Sequence, residues 1–195
     1  MTAVEPLRLT IIIGSTRRGR LGPSVADWFK SRVADHGAFD ADVIDLAEIG
    51  LPDVLVDEAD DIPVEVTETA PRLAAADAHV VITPEYNHSF PAPLKTAIDW
   101  FFDEWAAKPV GFVSYGGVSG GLRAVEQLRL VFAELHAVDV RNSVSFADIS
   151  AEVEVDGRRS FENERADAAA VSLLDQLDWW AHALAQAREA RPYRP

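Results

Sequence analysis

The sequence predicts an α/β domain over residues 1–195, with a doubly wound, five-stranded parallel sheet in the order 2-1-3-4-5 and helices on both faces. Three observations carry this. Short apolar runs rich in β-branched residues alternate along the chain with amphipathic helical patterns. The run Val80–Thr83 is apolar and β-branched without in–out alternation, as a strand covered on both faces is. Small polar or glycine-rich loops follow three of the apolar runs and open the next helix. In such a sheet the order reverses between strands one and three, and ligands bind there, outside the carboxyl ends.

The first strand is Leu7–Ile13, LRLTIII. The loop Gly14-Ser15-Thr16-Arg17-Arg18-Gly19-Arg20-Leu21-Gly22 follows, then a helix from about Pro23 to His36 with Val25, Phe29 and Val33 on one face and Gly37 as a C-cap. Backbone N–H groups and a helix N-terminus converging on one spot suit a phosphate. Three arginines within four positions add charged donors. A solvated basic turn is the plainer reading, and Arg18 fits it. The loop matches neither GxxxxGK[ST] nor GxGxxG.

Phe39–Leu46 is the second strand. The long segment Ala47–Pro63 carries the acidic run Asp57-Glu58-Ala59-Asp60-Asp61, whose carboxylates lack calcium-loop spacing and read as solvated surface. A short Ala-rich helix around Ala70–Ala76 leads to the third strand, Val80–Thr83, and Pro93 opens the next helix, with Leu94, Ala97, Ile98 and Phe101 on one face. Between them, Pro84 to Phe90 is too long and too aromatic for a bare connection, and reads as one wall of a ligand site. Trp100, Phe101, Phe102 and Trp105 form an aromatic cluster that core packing or a subunit interface would equally explain.

Pro109–Tyr115 is the fourth strand. Gly116-Gly117-Val118-Ser119-Gly120-Gly121 follows, with four glycines in six positions, which lets backbone approach a flat ligand. A flexible turn is the alternative. The next helix carries Val125, Leu128, Phe132 and Leu135, and Val138–Phe146 is the fifth strand. Asp156-Gly157 suits a small hairpin, and a last helix runs from about Glu164 to Arg188. The closing RPYRP, 191–195, reads as a loose tail.

Composition narrows the function. With no cysteine there are no disulfides, thiolate nucleophiles or iron–sulfur clusters. A formal net charge of −14 argues against broad nucleic-acid binding but says little about a small anion in a pocket. No apolar run approaches a membrane span, and MTAVEPLRL lacks the pattern of a signal peptide, so a cytoplasmic protein without membrane partners is expected. His36, His79, His136 and His182 share no spacing, and no metal site is expected.

A phosphate cradle with two close backbone walls suits a phosphorylated planar ring. Gly14-Ser15-Thr16-Arg17 with Arg20, Pro84-Glu85-Tyr86-Asn87-His88-Ser89 with Leu94-Lys95 and Ala97-Ile98-Asp99-Trp100, and Ser114-Tyr115-Gly116-Gly117 together resemble the NADPH-dependent FMN reductase family. These are flavodoxin-like enzymes that reduce free flavin, quinones, azo dyes or chromate. The resemblance spans nearly the whole chain and implies FMN as cofactor, NADPH or NADH as donor, and a homodimer or homotetramer. It places Ser15, Thr16, Arg17 and Arg20 at the FMN phosphate. Pro84, Glu85, Tyr86 and Asn87 would lie along the ring and ribityl, and Ser114, Tyr115, Gly116 and Gly117 at the pyrimidine edge. No catalytic acid or base is assigned; His88 titrates near neutral pH in the wall loop, and Tyr86 can stack on a ring. The competing classes are a flavodoxin-type electron carrier and a flavin-binding redox sensor.

Overall fold

The computed structural model describes residues 6–56, 61–149, 154–155, 158–159 and 163–194. Its sheet has five parallel strands: β1 (Leu7–Ile13), β2 (Phe39–Asp45), β3 (Ala78–Pro84), β4 (Pro109–Tyr115) and β5 (Val138–Phe146). Their order is β2-β1-β3-β4-β5, as the alternation of elements predicts. All five thus point the same way, and their carboxyl ends share one edge.

The helices are α1 (Gly22–His36), α2 (Leu46–Ile49), α3 (Val64–Ala75), α4 (Ala92–Trp100), α5 (Leu122–Glu134) and α6 (Glu164–Ala190). One apolar core joins alternate strand residues such as Leu9, Ile11 and Ile13 to Val25, Phe29 and Val33 of α1 and to Leu173, Leu174 and Leu177 of α6. The opposite face joins Ile12, Ile44 and Phe112 to Leu73 of α3, Leu94 and Ile98 of α4, and Leu128 and Phe132 of α5. Both faces of β3 and β4 are covered, and every residue of the two strands is buried. That explains why their sequences run apolar without alternating.

Several boundaries differ from the sequence reading. The helix expected at Ala70 starts at Val64, because Val66, Thr69 and Leu73 form a single buried stripe at helical spacing. The one-turn α2 was not expected; the Asp45 side chain accepts from the Ala47 amide, and Gly50 closes it at φ 69°. Glu154–Val155 pairs antiparallel with Arg158–Arg159, as a hairpin requires, while Asp156-Gly157 lie outside the described residues. So does most of the acidic run, Asp57 to Asp60.

Two expectations are corrected. The aromatic cluster is largely core: Phe101 and Trp105 are each 2% exposed, and Trp105 meets His79 and Phe132 edge-on at 5.0 and 5.5 Å. Trp100 donates its indole N–H to the Pro52 carbonyl at 2.8 Å. Only Phe102 of the four is exposed, so the cluster gives no argument for a second subunit. The tail is tied down as well, since the Tyr193 hydroxyl lies 2.9 Å from His136 Nδ1.

Candidate functional site

Three loops leave the carboxyl ends of β1, β3 and β4 side by side, because β1 pairs with β3 and β3 with β4. At β1, the Gly14 amide still donates to Ile82 O at 2.9 Å, and then the chain leaves the sheet. A Cβ on Gly14 would stand 3.1 Å from Leu94 Cδ2 and 3.2 Å from Ile82 O, so this departure is tight. Ser15 is wholly buried, and its hydroxyl shares a hydrogen bond with the Tyr86 hydroxyl at 2.7 Å. The first loop is thereby fastened to the second.

The arginines of this loop divide into two kinds. Arg20 donates from Nη2 to Asp45 Oδ2 at 2.7 Å, and from Nη1 to both Asp45 Oδ1 and the Ser15 carbonyl. Its hydrogen bonds to Asp45 hold its pKa above the ordinary value, against the opposing effect of burial. Arg20, expected at a phosphate, braces the loop against the end of β2. Thr16, Arg17 and Arg18 are exposed, and among the described residues their side chains have no partner. The amides of Thr16 and Arg17 likewise meet no protein acceptor there, and α1 begins without a side-chain cap. Gly22 lets α1 start close to the sheet, since a Cβ there would lie 2.6 Å from Ile13 Cγ2.

The second loop is a tight turn. Tyr86 and Ser89 exchange backbone hydrogen bonds at 2.8 and 3.1 Å, with Asn87 at φ 50° and His88 at φ 77° between them. Two successive positive φ angles make a type I′ turn, strained for a histidine. It is held from α5: Gln127 Nε2 donates to His88 O at 2.9 Å, and Gln127 Oε1 accepts from Ser89 Oγ at 2.5 Å. Asn87 and His88 project outward. Pro84 is the buried end of β3.

Glu85 joins the second loop to the third. Its carboxylate accepts from Ser119 Oγ at 2.7 Å, from the Arg123 amide at 3.2 Å and from Arg123 Nη1 at 3.0 Å. Burial opposes its charge, but these hydrogen bonds prevail and hold its carboxyl below the ordinary range. Below the glycine loop, Ser114 is fully buried and donates to Gly120 O at 2.8 Å. Expected at a ring edge, it shapes the loop from beneath. Gly121 has φ 84°, and a Cβ there would lie 2.9 Å from Tyr115 N. Gly116 and Gly117 offer their carbonyls to the amides of Ile149 and Asp148, which ties the loop to the end of β5. Nothing stands within 4 Å of where a Cβ on Gly117 would be, so that backbone is open from above.

Tyr115 turns under this surface. Its ring is buried, and among the described residues its hydroxyl makes no well-formed hydrogen bond, although Ser15 and the Gly22 backbone lie beside it. Burial raises its phenol pKa, and Tyr86 adds to the effect. Ser15, Thr16, Arg17, Tyr86, Asn87, Gly116 and Gly117 therefore sit on or just behind one rim. Arg20, Pro84, Glu85, Ser114 and Tyr115 support it from within. Sequence reading passed over Asp45, Ser119, Arg123 and Gln127. Only the position of Asp45 at a strand end carried any signal.

The model of NADPH-dependent FMN reductases matches residues 7–151. The chain belongs to that family. It is 37% identical over 123 residues to an NAD(P)H-dependent FMN reductase of Schizosaccharomyces pombe, a match spanning 58% of this chain and 60% of that one. It is 34% identical over 147 residues to a quinone reductase of Escherichia coli, spanning 73% and 77%. Among solved structures it resembles FerB, a flavoenzyme NAD(P)H:acceptor oxidoreductase of Paracoccus denitrificans, with TM-score 0.71, 24% identity, and 91% and 98% of the two chains covered. That likeness confirms the flavodoxin-like fold.

Family membership brings FMN as the cofactor and NAD(P)H as the donor. The residues present fit that group. Unpartnered amides at Thr16 and Arg17, an unpaired guanidinium and an uncapped helix start suit a phosphate dianion. The orphaned Tyr115 hydroxyl is a polar atom still wanting a partner on the same side. No helix of the described residues is long and apolar enough to cross a membrane.

Proposed function

We propose that this protein is an FMN-dependent NAD(P)H oxidoreductase whose acceptor is a quinone, an azo compound, a free flavin or a metal oxyanion. One observation carries the reading: a loop with free anion-binding groups lies, at the switch point of the sheet, against a second loop held in a strained, outward-facing turn. When bound, FMN supplies the hydride chemistry, a two-electron relay from NAD(P)H to the acceptor in ping-pong order.

The protein's part is position and electrostatics. Arg17, Thr16 and the loop amides hold the phosphate, and Arg20 keeps their loop in place through Asp45. Ser15 and Tyr86, hydrogen-bonded to each other, fix the junction between the phosphate loop and the ring wall. Backbone of Glu85 to Asn87 and of Gly116 and Gly117 borders the ring, while the Glu85–Arg123 pair keeps these two walls at constant spacing. Asn87 and His88 face the side from which a second substrate arrives. The site lies within a single domain comprising the whole chain. A homodimer or homotetramer completes the reading, supported by the exposed Val54, Leu55, Ile62 and Val64 between positions 54 and 64. A cytoplasmic location, where NAD(P)H is made and used, accompanies it.

The deciding experiment follows NADPH and NADH oxidation by the FMN-loaded protein with a quinone acceptor. Sustained turnover that depends on both FMN and the quinone is expected. A protein that binds FMN and accepts electrons from dithionite, yet oxidises neither nucleotide, would be an electron carrier. Light scattering at micromolar concentration tests assembly, and a mass near 21.3 kDa alone would reject the oligomer.

A further inference from the structure

We propose a second small-molecule site at the opposite end of the sheet, which takes a flat apolar molecule bearing an anionic group. A cavity of about 760 Å³ opens there, between the starts of β4 and β5 and the C-terminal end of α6. This is the size range of ordinary ligand sites. The seven residues of β4 separate it from the glycine loop by roughly 20 Å, at about 3.3 Å per residue, so it is distinct from the FMN site.

Its walls set the ligand's chemistry. Val138, Leu184 and Ala187 supply an apolar floor. Arg188, Arg191 and Arg194 stand around it, and no carboxylate is among the lining residues. In a chain of formal net charge −14, that is a local reversal of sign. Arg188 is already fixed: it donates to Ala107 O at 2.6 Å and lies 3.6 Å from Asp77. The side chains of Arg191 and Arg194 have no partner among the described residues. Guanidinium groups without a counter-charge are the ordinary receptors for carboxylate, sulfonate or phosphate.

Lys108 adds positive field from behind, with its ammonium held by the Leu73 and Ala74 carbonyls at 2.8 Å each. Burial and the Arg188 charge push its pKa down to about 8, although Asp77 and Glu104 act the other way.

Two features specify the flat body. Tyr193 is held as a wall, its hydroxyl 2.9 Å from His136 Nδ1 and its ring centroid 5.8 Å from the imidazole. Aromatic faces receive planar rings. Ala107 and His136, both lining the cavity, have φ of 54° and 58° and are joined by a hydrogen bond from Ala107 N to His136 O at 2.9 Å. Left-handed backbone at non-glycine residues collects where a structure is held for a ligand. Among the described residues it recurs at Asn87 and His88, on the FMN rim, and at Asp148 beyond β5.

The test is a calorimetric titration of the FMN-loaded protein with 8-anilinonaphthalene-1-sulfonate, an apolar anion with a flat naphthalene ring. One saturable site per chain is expected. An Arg191→Ala/Arg194→Ala variant, altered only at exposed positions, should bind about tenfold or more weakly. A second variant, Leu184→Gln, should weaken binding while both arginines remain. Absence of saturable binding to millimolar concentration, equal binding by the double arginine variant, or displacement of the probe by FMN would each overturn the proposal.

Discussion

Arg20 and Asp45, 25 positions apart, meet in a two-pronged ion pair that ties the first loop to the end of β2, with Nη2 donating to Oδ2 at 2.7 Å. Their side chains are only 16% and 9% exposed. Asp45 also caps α2 through the Ala47 amide. Asp45→Ala leaves a part-buried guanidinium with only the Ser15 carbonyl for a partner, which costs about 2–3 kcal/mol. Urea unfolding should show that loss. A change below about 1 kcal/mol would mean the pair is a surface contact.

Arg17 should behave in the opposite way. It is exposed and unpaired among the described residues, so Arg17→Ala should leave stability within about 0.5 kcal/mol of wild type. FMN binding should weaken by about 2–3 kcal/mol, the worth of one or two charge-assisted hydrogen bonds, or roughly 30- to 150-fold. Riboflavin lacks the phosphate, and its affinity should stay as it was. Flavin fluorescence titrations decide this; equal weakening of both flavins would remove Arg17 from the phosphate.

Gln127 touches the ring-wall turn and no other part of the proposed site. Gln127→Ala deletes the hydrogen bonds to His88 O and Ser89 Oγ, each worth about 1 kcal/mol. With them goes the restraint on two strained residues. FMN and riboflavin should both weaken, by roughly 5- to 30-fold. The same titrations check it, and a loss confined to FMN would contradict the assignment of this turn to the ring.

His79 makes stability pH-dependent. Its ring is fully buried in β3, among the described residues neither nitrogen makes a well-formed hydrogen bond, and burial above all, with the Lys108 charge next, lowers its pKa to about 3 against the weaker effect of the Glu104 backbone. In the unfolded chain a histidine titrates near 6.5. Between those values the unfolded state binds one more proton than the folded state. Stability therefore falls as pH drops from about 6.5 towards 3, by up to about 1.4 kcal/mol per pH unit. In His79→Leu that share of the slope should vanish, as denaturant unfolding at pH 6 and pH 4.5 would show. An unchanged slope would mean that His79 charges within the fold.

Sequence by itself determined the strands, their parallel order and the three loops. Each is written locally: an apolar, β-branched run such as Val80–Ile82 has no polar face to show to water, and Gly14, Gly120 and Gly121 stand where the backbone turns sharply. Tertiary structure decided which side chains are free. Arg17 and Arg20 look alike in sequence, but only Arg20 comes within reach of Asp45, which β2 delivers from 25 residues away. Gln127 and Arg123 reach Ser89 and Glu85 only because α5 packs beside the β3 loop, across separations of 38 residues. Phe101 and Trp105 have the composition of an interface, yet they are core because His79 and Phe132 close over them. Local pattern settles what a segment becomes; the partner that uses up a charge or covers an aromatic ring comes from another segment, and only packing brings the two together.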